Sequence, residues 1–167
     1  MTASRHPLTA PIFTDREALR RFCDENRAQG ASIVFTNGVF DLFHAGHLDS
    51  LRRARAEGDV LVVGVNTDAS VQRLKGPGRP ILPLDQRMRL LAALEFVNAV
   101  APFDEDTPAA LIDAVLPNVL VKGGHYKIEE IVGHELVLGR GGRVLSLPLL
   151  PGRSSTDLIQ TIKARYA

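Results

Sequence analysis

The chain has 167 residues, enough for one domain with a substantial core and too few for two. Its 45% hydrophobic content is that of a globular protein, and 20 basic against 19 acidic residues (formal charge +1) leave no footprint for general nucleic-acid binding. A single cysteine, Cys23, excludes an internal disulfide framework and a cysteine-rich zinc site, and no apolar run reaches the ~18 residues of a membrane span or forms a leader core, so a cytoplasmic protein is expected.

Residues 1–30 read as an extended arm followed by a helix, with Thr14-Asp15-Arg16-Glu17 as its capping box and Gly30 as its end. Residues 31–167 read as one domain in which strands and helices alternate. Ser32 to Phe35 is a short buried strand, and a helix follows His44 with Leu48 and Leu51 on one face. Gly58 closes that helix before a second strand over 60–65. A short helix over 69–74 runs into a loop, Lys75-Gly76-Pro77-Gly78-Arg79-Pro80. Beyond it the pattern predicts a helix over 85–94, a strand over 98–101 and a helix over 108–115, the last capped by Asp106-Thr107 ahead of a first-turn Pro108. A strand over 119–121, a helix over 129–138 and a fifth strand over 143–147 complete the alternation. The final helix starts at Ser154-Ser155-Thr156, with Leu158, Ile159 and Ile162 expected to face inward.

Such alternation implies an α/β fold: a Rossmann-like, doubly wound, five-stranded parallel sheet in the order 3-2-1-4-5. Ligands of such sheets bind beyond the carboxyl ends of the strands, so the loops after Phe35, Val65, Val121 and Leu147 are the ones to search. No Walker loop, no G-x-G-x-x-G after the first strand, no zincin pair and no nucleophile elbow occurs.

What does occur is Thr36-Asn37-Gly38-Val39-Phe40-Asp41-Leu42-Phe43-His44-Ala45-Gly46-His47. From this composition H-x-G-H would arise by chance ~0.01 times per chain, and here it lies between the first strand and the next helix. A helix start offers unpaired amides and positive potential to a phosphate, and Gly38 and Gly46 leave the backbone approachable. Histidines three apart share one face of the first turn. Two isolated histidines would ordinarily be read as a helix cap and an exposed ring; the location of the motif favours a phosphate site. No third metal ligand stands nearby, so no metal site is predicted.

The stretch 36–47 resembles the nucleotide-binding signature of the cytidylyltransferase-like nucleotidyltransferases. The resemblance continues through G-V-N-T-D (64–68), R-L-K-G-P-G-R-P (73–80), E-D-T-P (105–108), V-K-G-G-H-Y (121–126), I-V-G (131–133) and S-S-T (154–156). That combination is most similar to the heptose 1-phosphate adenylyltransferases. The resemblance implies adenylyl transfer from ATP, with its Mg2+, to a sugar 1-phosphate, giving ADP-sugar and pyrophosphate. It further implies catalysis by His44, His47 and Lys75. Nucleotide contacts are implied at Thr36, Asn37, Gly38, Val39, Phe40, Gly46, Arg87, Lys122, Gly123, Ser154, Ser155 and Thr156, and second-substrate contacts at Asp41, Arg73, Arg79 and His125. Ser154 to Thr156 also reads as an ordinary helix cap, and Arg87 equally as a surface arginine. A homodimer is a family-level expectation.

Three positions depart from the pattern. His125 stands where heptose relatives usually carry aspartate. Leu149 and Gly124 stand where cytidylyltransferases for glycerol or choline phosphate usually have arginine and an acidic residue, which favours ATP over CTP. A CTP-dependent enzyme acting on an alcohol phosphate, an FMN adenylyltransferase and a non-catalytic nucleotide-binding module remain as alternatives. The glycine- and proline-rich loop over 75–83 is expected to be loosely ordered without ligand and to close over bound phosphates.

Overall fold

A computed structural model describes residues 9–150, 152 and 154–166. The first eight residues of the predicted arm lie outside these. Five strands, β1 (Ile33–Gly38), β2 (Val60–Asn66), β3 (Ala99–Phe103), β4 (Val119–Gly123) and β5 (Arg143–Leu147), form one parallel sheet in the order β3-β2-β1-β4-β5. The predicted order is observed. The helices are α1 (Arg16–Ala28), α2 (Ala45–Arg55), α3 (Asp68–Lys75), α4 (Leu84–Ala92), α5 (Ala109–Val115), α6 (His134–Gly139) and α7 (Ser155–Tyr166), with a 3-10 turn at Ile128–Glu130.

The strands' period of two sorts their side chains into two cores. Ile33, Phe35 and Val62 point to one face, against Leu19 and Cys23 of α1 and Leu111 and Ile112 of α5. Val34, Leu61, Val63 and Val65 point to the other, against Leu51 of α2 and Met88 and Leu91 of α4. With both faces covered, the central strands read as continuous apolar runs, and every residue of β2 is buried. Burial among these side chains pushes the Cys23 thiol up to about 11, so it behaves as a buried hydrophobe. The outer edge of β3 is partly covered by the end of the arm, where Ile12 bridges Val100 and the Phe13 amide donates to the Val100 carbonyl at 2.8 Å.

Four local expectations need correction. The cap of α1 is Asp15, whose carboxylate accepts from the amides of Glu17 and Ala18, rather than Thr14. Pro108 itself occupies the cap position of α5, with no side chain capping that helix. The helix expected over 129–138 is broken in two: the chain turns extended at Ile131, which ends the 3-10 turn, and Gly133 then takes φ +89°, a left-handed conformation at the cap of α6. Finally, α7 does not bury its apolar positions: Leu158 and Ile162 are exposed and Ile159 is only half-buried.

Candidate active site

Because β1 lies between β2 and β4, the chain leaves it in opposite directions and a crevice opens at its carboxyl end. The structure has a cavity of about 590 Å3 there. Thr36 to Phe40, His47, Lys75, Lys122 and Gly123 line it, together with Ser50, Asn66, Thr107, Tyr126 and Leu149, which sequence reasoning did not single out as contacts.

The two histidines meet at the start of α2. His44 is the N-cap, and its Nδ1 accepts from the amides of Gly46 (3.1 Å) and His47 (3.4 Å). An accepting Nδ1 puts the proton of the neutral ring on Nε2. The imidazoles stack with centroids 3.8 Å apart, and the rings of Phe40 and Phe43 lie 5.4 and 5.7 Å from that of His47. Burial in this cage, then the neighbouring His44 and Lys75, lower the His47 pKa to about 4. Burial also lowers that of His44, against the opposing pull of Asp157 in the first turn of α7. Both rings are therefore neutral at neutral pH. The Nδ1 of His47 and the hydroxyl of Ser50 are buried with no hydrogen-bond partner among the described residues. Both residues line the cavity, where these two polar atoms are open to a hydrogen bond from water or a bound group.

The ordinary reading of His44 as a cap is thus correct and compatible with a role at the site, since Nε2 remains outside the cap. It also alters the picture of the helix start. The first-turn amides of Gly46 and His47 are turned inward to His44, so here the helix offers its imidazoles and its dipole rather than a row of free N–H groups. Nor does Gly38 simply leave space for ligand: a Cβ there would come within 3.1 Å of the Phe40 ring, which folds back over it.

Several residues with implied ligand contacts are engaged with the scaffold in this structure. Arg87 is completely buried: Nε donates to the Leu82 carbonyl (3.0 Å), Nη1 to the Val39 carbonyl (2.6 Å), and Nη2 to the Asn66 carbonyl (2.8 Å) and the Asp68 carboxylate (2.7 Å). It is neither a surface arginine nor a wall of the cavity. Asp41, also buried, accepts from Arg79 Nε (2.7 Å) and from the amides of Ile81 (2.8 Å) and Leu82 (2.9 Å). Although burial opposes it, these donors hold the Asp41 carboxyl below its ordinary range. Asp41 and Arg79 are thus engaged with each other, and the second half of the 75–83 loop is tied down without ligand. Arg73 pairs with Asp106 (3.0 Å) and Asp104 (3.6 Å) at the cavity rim, and His125 is exposed outside the lining. At Gly124, φ +133° would strain any other residue, and a Cβ would sit 2.4 Å from the Tyr126 ring, which would have to move aside, so an acidic residue is disfavoured there.

The start of α7 does converge on the histidine loop. The Ser155 hydroxyl donates to the Asp41 carbonyl, and Ser154 caps the helix by accepting from the Asp157 amide at 3.1 Å. Thr156 is exposed on its first turn. Two cations face the cavity. Partial desolvation and the nearby Arg79 lower the pKa of Lys75, at the end of α3; burial lowers that of Lys122, at the end of β4. Lys122 makes no salt bridge among the described residues, and its Nζ lies 5.9 Å from the centre of the Tyr126 ring. Lys75, Lys122 and the His47 imidazole therefore line the cavity, while His44, stacked on His47, and Ser154 to Thr156 at the start of α7 lie outside its lining. No group of three His, Cys, Asp or Glu side chains among the described residues could hold a metal.

Residues 35–161 match the model of the cytidylyltransferase-like family. The chain belongs to that family. Within it, the chain is 58% identical over 159 residues to bifunctional protein HldE of Halorhodospira halophila, covering 95% of this chain and 33% of that protein. It is 50% identical over 151 residues to bifunctional protein HldE of Syntrophotalea carbinolica, covering 90% and 31%. The chain thus spans about a third of the length of these curated relatives. Among solved structures, a lipopolysaccharide core biosynthesis protein from Thermoplasma volcanium is similar with a TM-score of 0.60 and 27% identity, covering 72% of this chain and 98% of that one. The pantoate-beta-alanine ligase of Francisella tularensis, at 17% identity and TM-score 0.58, shares the fold. Among the described residues of this cytidylyltransferase-like chain, no helix is long and apolar enough to cross a membrane.

Proposed function

We propose that the chain transfers the adenylyl group of ATP to a sugar 1-phosphate, heptose 1-phosphate in the first instance, releasing pyrophosphate. The observation that carries this reading is neutral His47 at the start of α2, stacked on His44 and lining a cavity that Lys75 and Lys122 also line. The family membership, the HldE relatives and the motifs shared with heptose 1-phosphate adenylyltransferases point the same way.

The attacking group is an oxygen of the sugar phosphate, already ionised at neutral pH, so no general base is required. What the protein supplies is alignment and charge. A negative α-phosphate beside His47 raises its pKa and draws a proton or a hydrogen bond to it as charge grows in the pentavalent state. Lys75 closes from the α3 side, the start of α7 from the other, and pyrophosphate departs toward these positive groups. Magnesium accompanies ATP in this reading. When bound, it would help neutralise charge on the phosphates; Asp41 already accepts from three donors, and no cluster of three His, Cys, Asp or Glu side chains that could hold it stands among the described residues. A cytoplasmic homodimer belongs to the same proposal.

Isotope position tests it directly. With ATP labelled at the α-phosphate and heptose 1-phosphate as acceptor, label should enter the nucleotide sugar, while γ-label leaves as pyrophosphate. Transfer of γ-label to the sugar, or no labelled sugar with either, would overturn the proposal.

A further inference from the structure

We infer that Arg87 is a positioning residue: through the Val39 carbonyl it holds the turn between β1 and α2 in a strained conformation that sets His47. The turn carries two non-glycine residues in the left-handed region, Phe40 at φ +52° and Leu42 at φ +49°. Such residues persist only where their surroundings over-determine them, and they gather at functional sites.

The surroundings are visible. Arg87 Nη1 grips the carbonyl just ahead of the strained pair at 2.6 Å. Its Nε holds the Leu82 carbonyl, while the Leu82 amide holds the Asp41 carboxylate between the two strained residues. Its Nη2 is fixed in turn by the Asn66 carbonyl and the Asp68 carboxylate. One planar guanidinium therefore locks the loops after β1 and β2 to the start of α4, a set of directions that a lysine's single nitrogen cannot reproduce. The strain has a product. Phe40 and Phe43, on the turn, pack their rings against His47 and with the stacked His44 form its cage. Arg87 itself lies beneath this turn, completely buried and away from the cavity lining, so it acts on the histidine only through the backbone.

This inference rests on the proposed adenylyl transfer for its kinetic readout but not for its spectroscopic one. The test compares wild type, Arg87→Lys, Leu42→Gly and the double variant by pyrophosphate release and by NMR titration of labelled histidines. Glycine adopts positive φ freely, so Leu42→Gly relieves the strain that Arg87 must otherwise hold. Arg87→Lys should lower kcat about tenfold or more with KM for ATP within about threefold, and should move the His47 titration up toward that of a free imidazole. Adding Leu42→Gly should restore at least about a third of the lost logarithm of rate, a coupling that a merely structural arginine would not show. If Arg87→Lys alone does not fold, recovery of folding in the double variant supports the inference and its absence overturns it. Wild-type kcat and titration in Arg87→Lys, or a loss untouched by Leu42→Gly, would also overturn it. Failure of wild type to release pyrophosphate sinks the activity reading instead, leaving the titrations to decide on Arg87.

Discussion

The imidazoles of His44 and His47 stack 3.8 Å apart, with one ring capping the helix that carries the other. Two cations at that separation repel, so the pair stays neutral until a negative charge arrives beside it. A pH prediction follows for the ligand-free protein. The His47 pKa is lowered to about 4 in the folded chain from an ordinary value of 6.5, so between those values the unfolded chain binds more protons. The stabilisation is complete above pH 6.5 and is lost as pH falls toward 4. Urea midpoints should drop across that window in wild type, and drop less in His47→Phe. ATP should flatten the dependence by raising the folded pKa. Equal pH slopes for wild type and His47→Phe would contradict the assignment.

Lys122→Met should separate stability from function. The cation is half-buried without an acidic partner, so removing its charge should leave the melting temperature unchanged or higher. If it receives substrate phosphate, KM for ATP or for the sugar phosphate should rise by about tenfold or more, the scale of one charge-assisted contact. A variant with unchanged KM for both substrates would return Lys122 to the scaffold.

Asp41→Asn should release the 79–83 segment. It removes the charge that meets Arg79 and weakens the acceptor for two backbone amides, at a cost of about 1–3 kcal/mol. Limited proteolysis should then cut between residues 76 and 83 faster than in wild type, and ATP should protect wild type more than the variant. Identical cleavage rates would show that the loop is held by something other than Asp41.

Much of this was legible in the sequence because it is local. Apolar runs, their punctuation by glycine and proline, and the alternation of periods predict five parallel strands and their order. The spacing of His44 and His47 alone brings both rings to one helix start. What escaped depends on distant partners. Arg87 looks like any charged residue on an amphipathic helix; the carbonyls of Val39, Asn66 and Leu82 and the carboxylate of Asp68, all outside α4, make its burial favourable. Asp41 belongs to the motif, but its role is set by amides forty residues away. Apolar spacing in α7 predicted a buried face that the fold leaves exposed at Leu158 and Ile162, since periodicity reports an apolar stripe and not what covers it.

In the proposed reaction His47 stabilises charge on the transferred phosphate. Steady-state pyrophosphate release from ATP and heptose 1-phosphate by His47→Ala, with nucleotide affinity measured in parallel, tests it most directly. Losing one well-placed donor to a transition state costs ~2.7–4 kcal/mol, so turnover should fall roughly a hundred- to thousandfold while ATP affinity changes little. Turnover within about threefold of wild type, in a folded variant, would contradict the account.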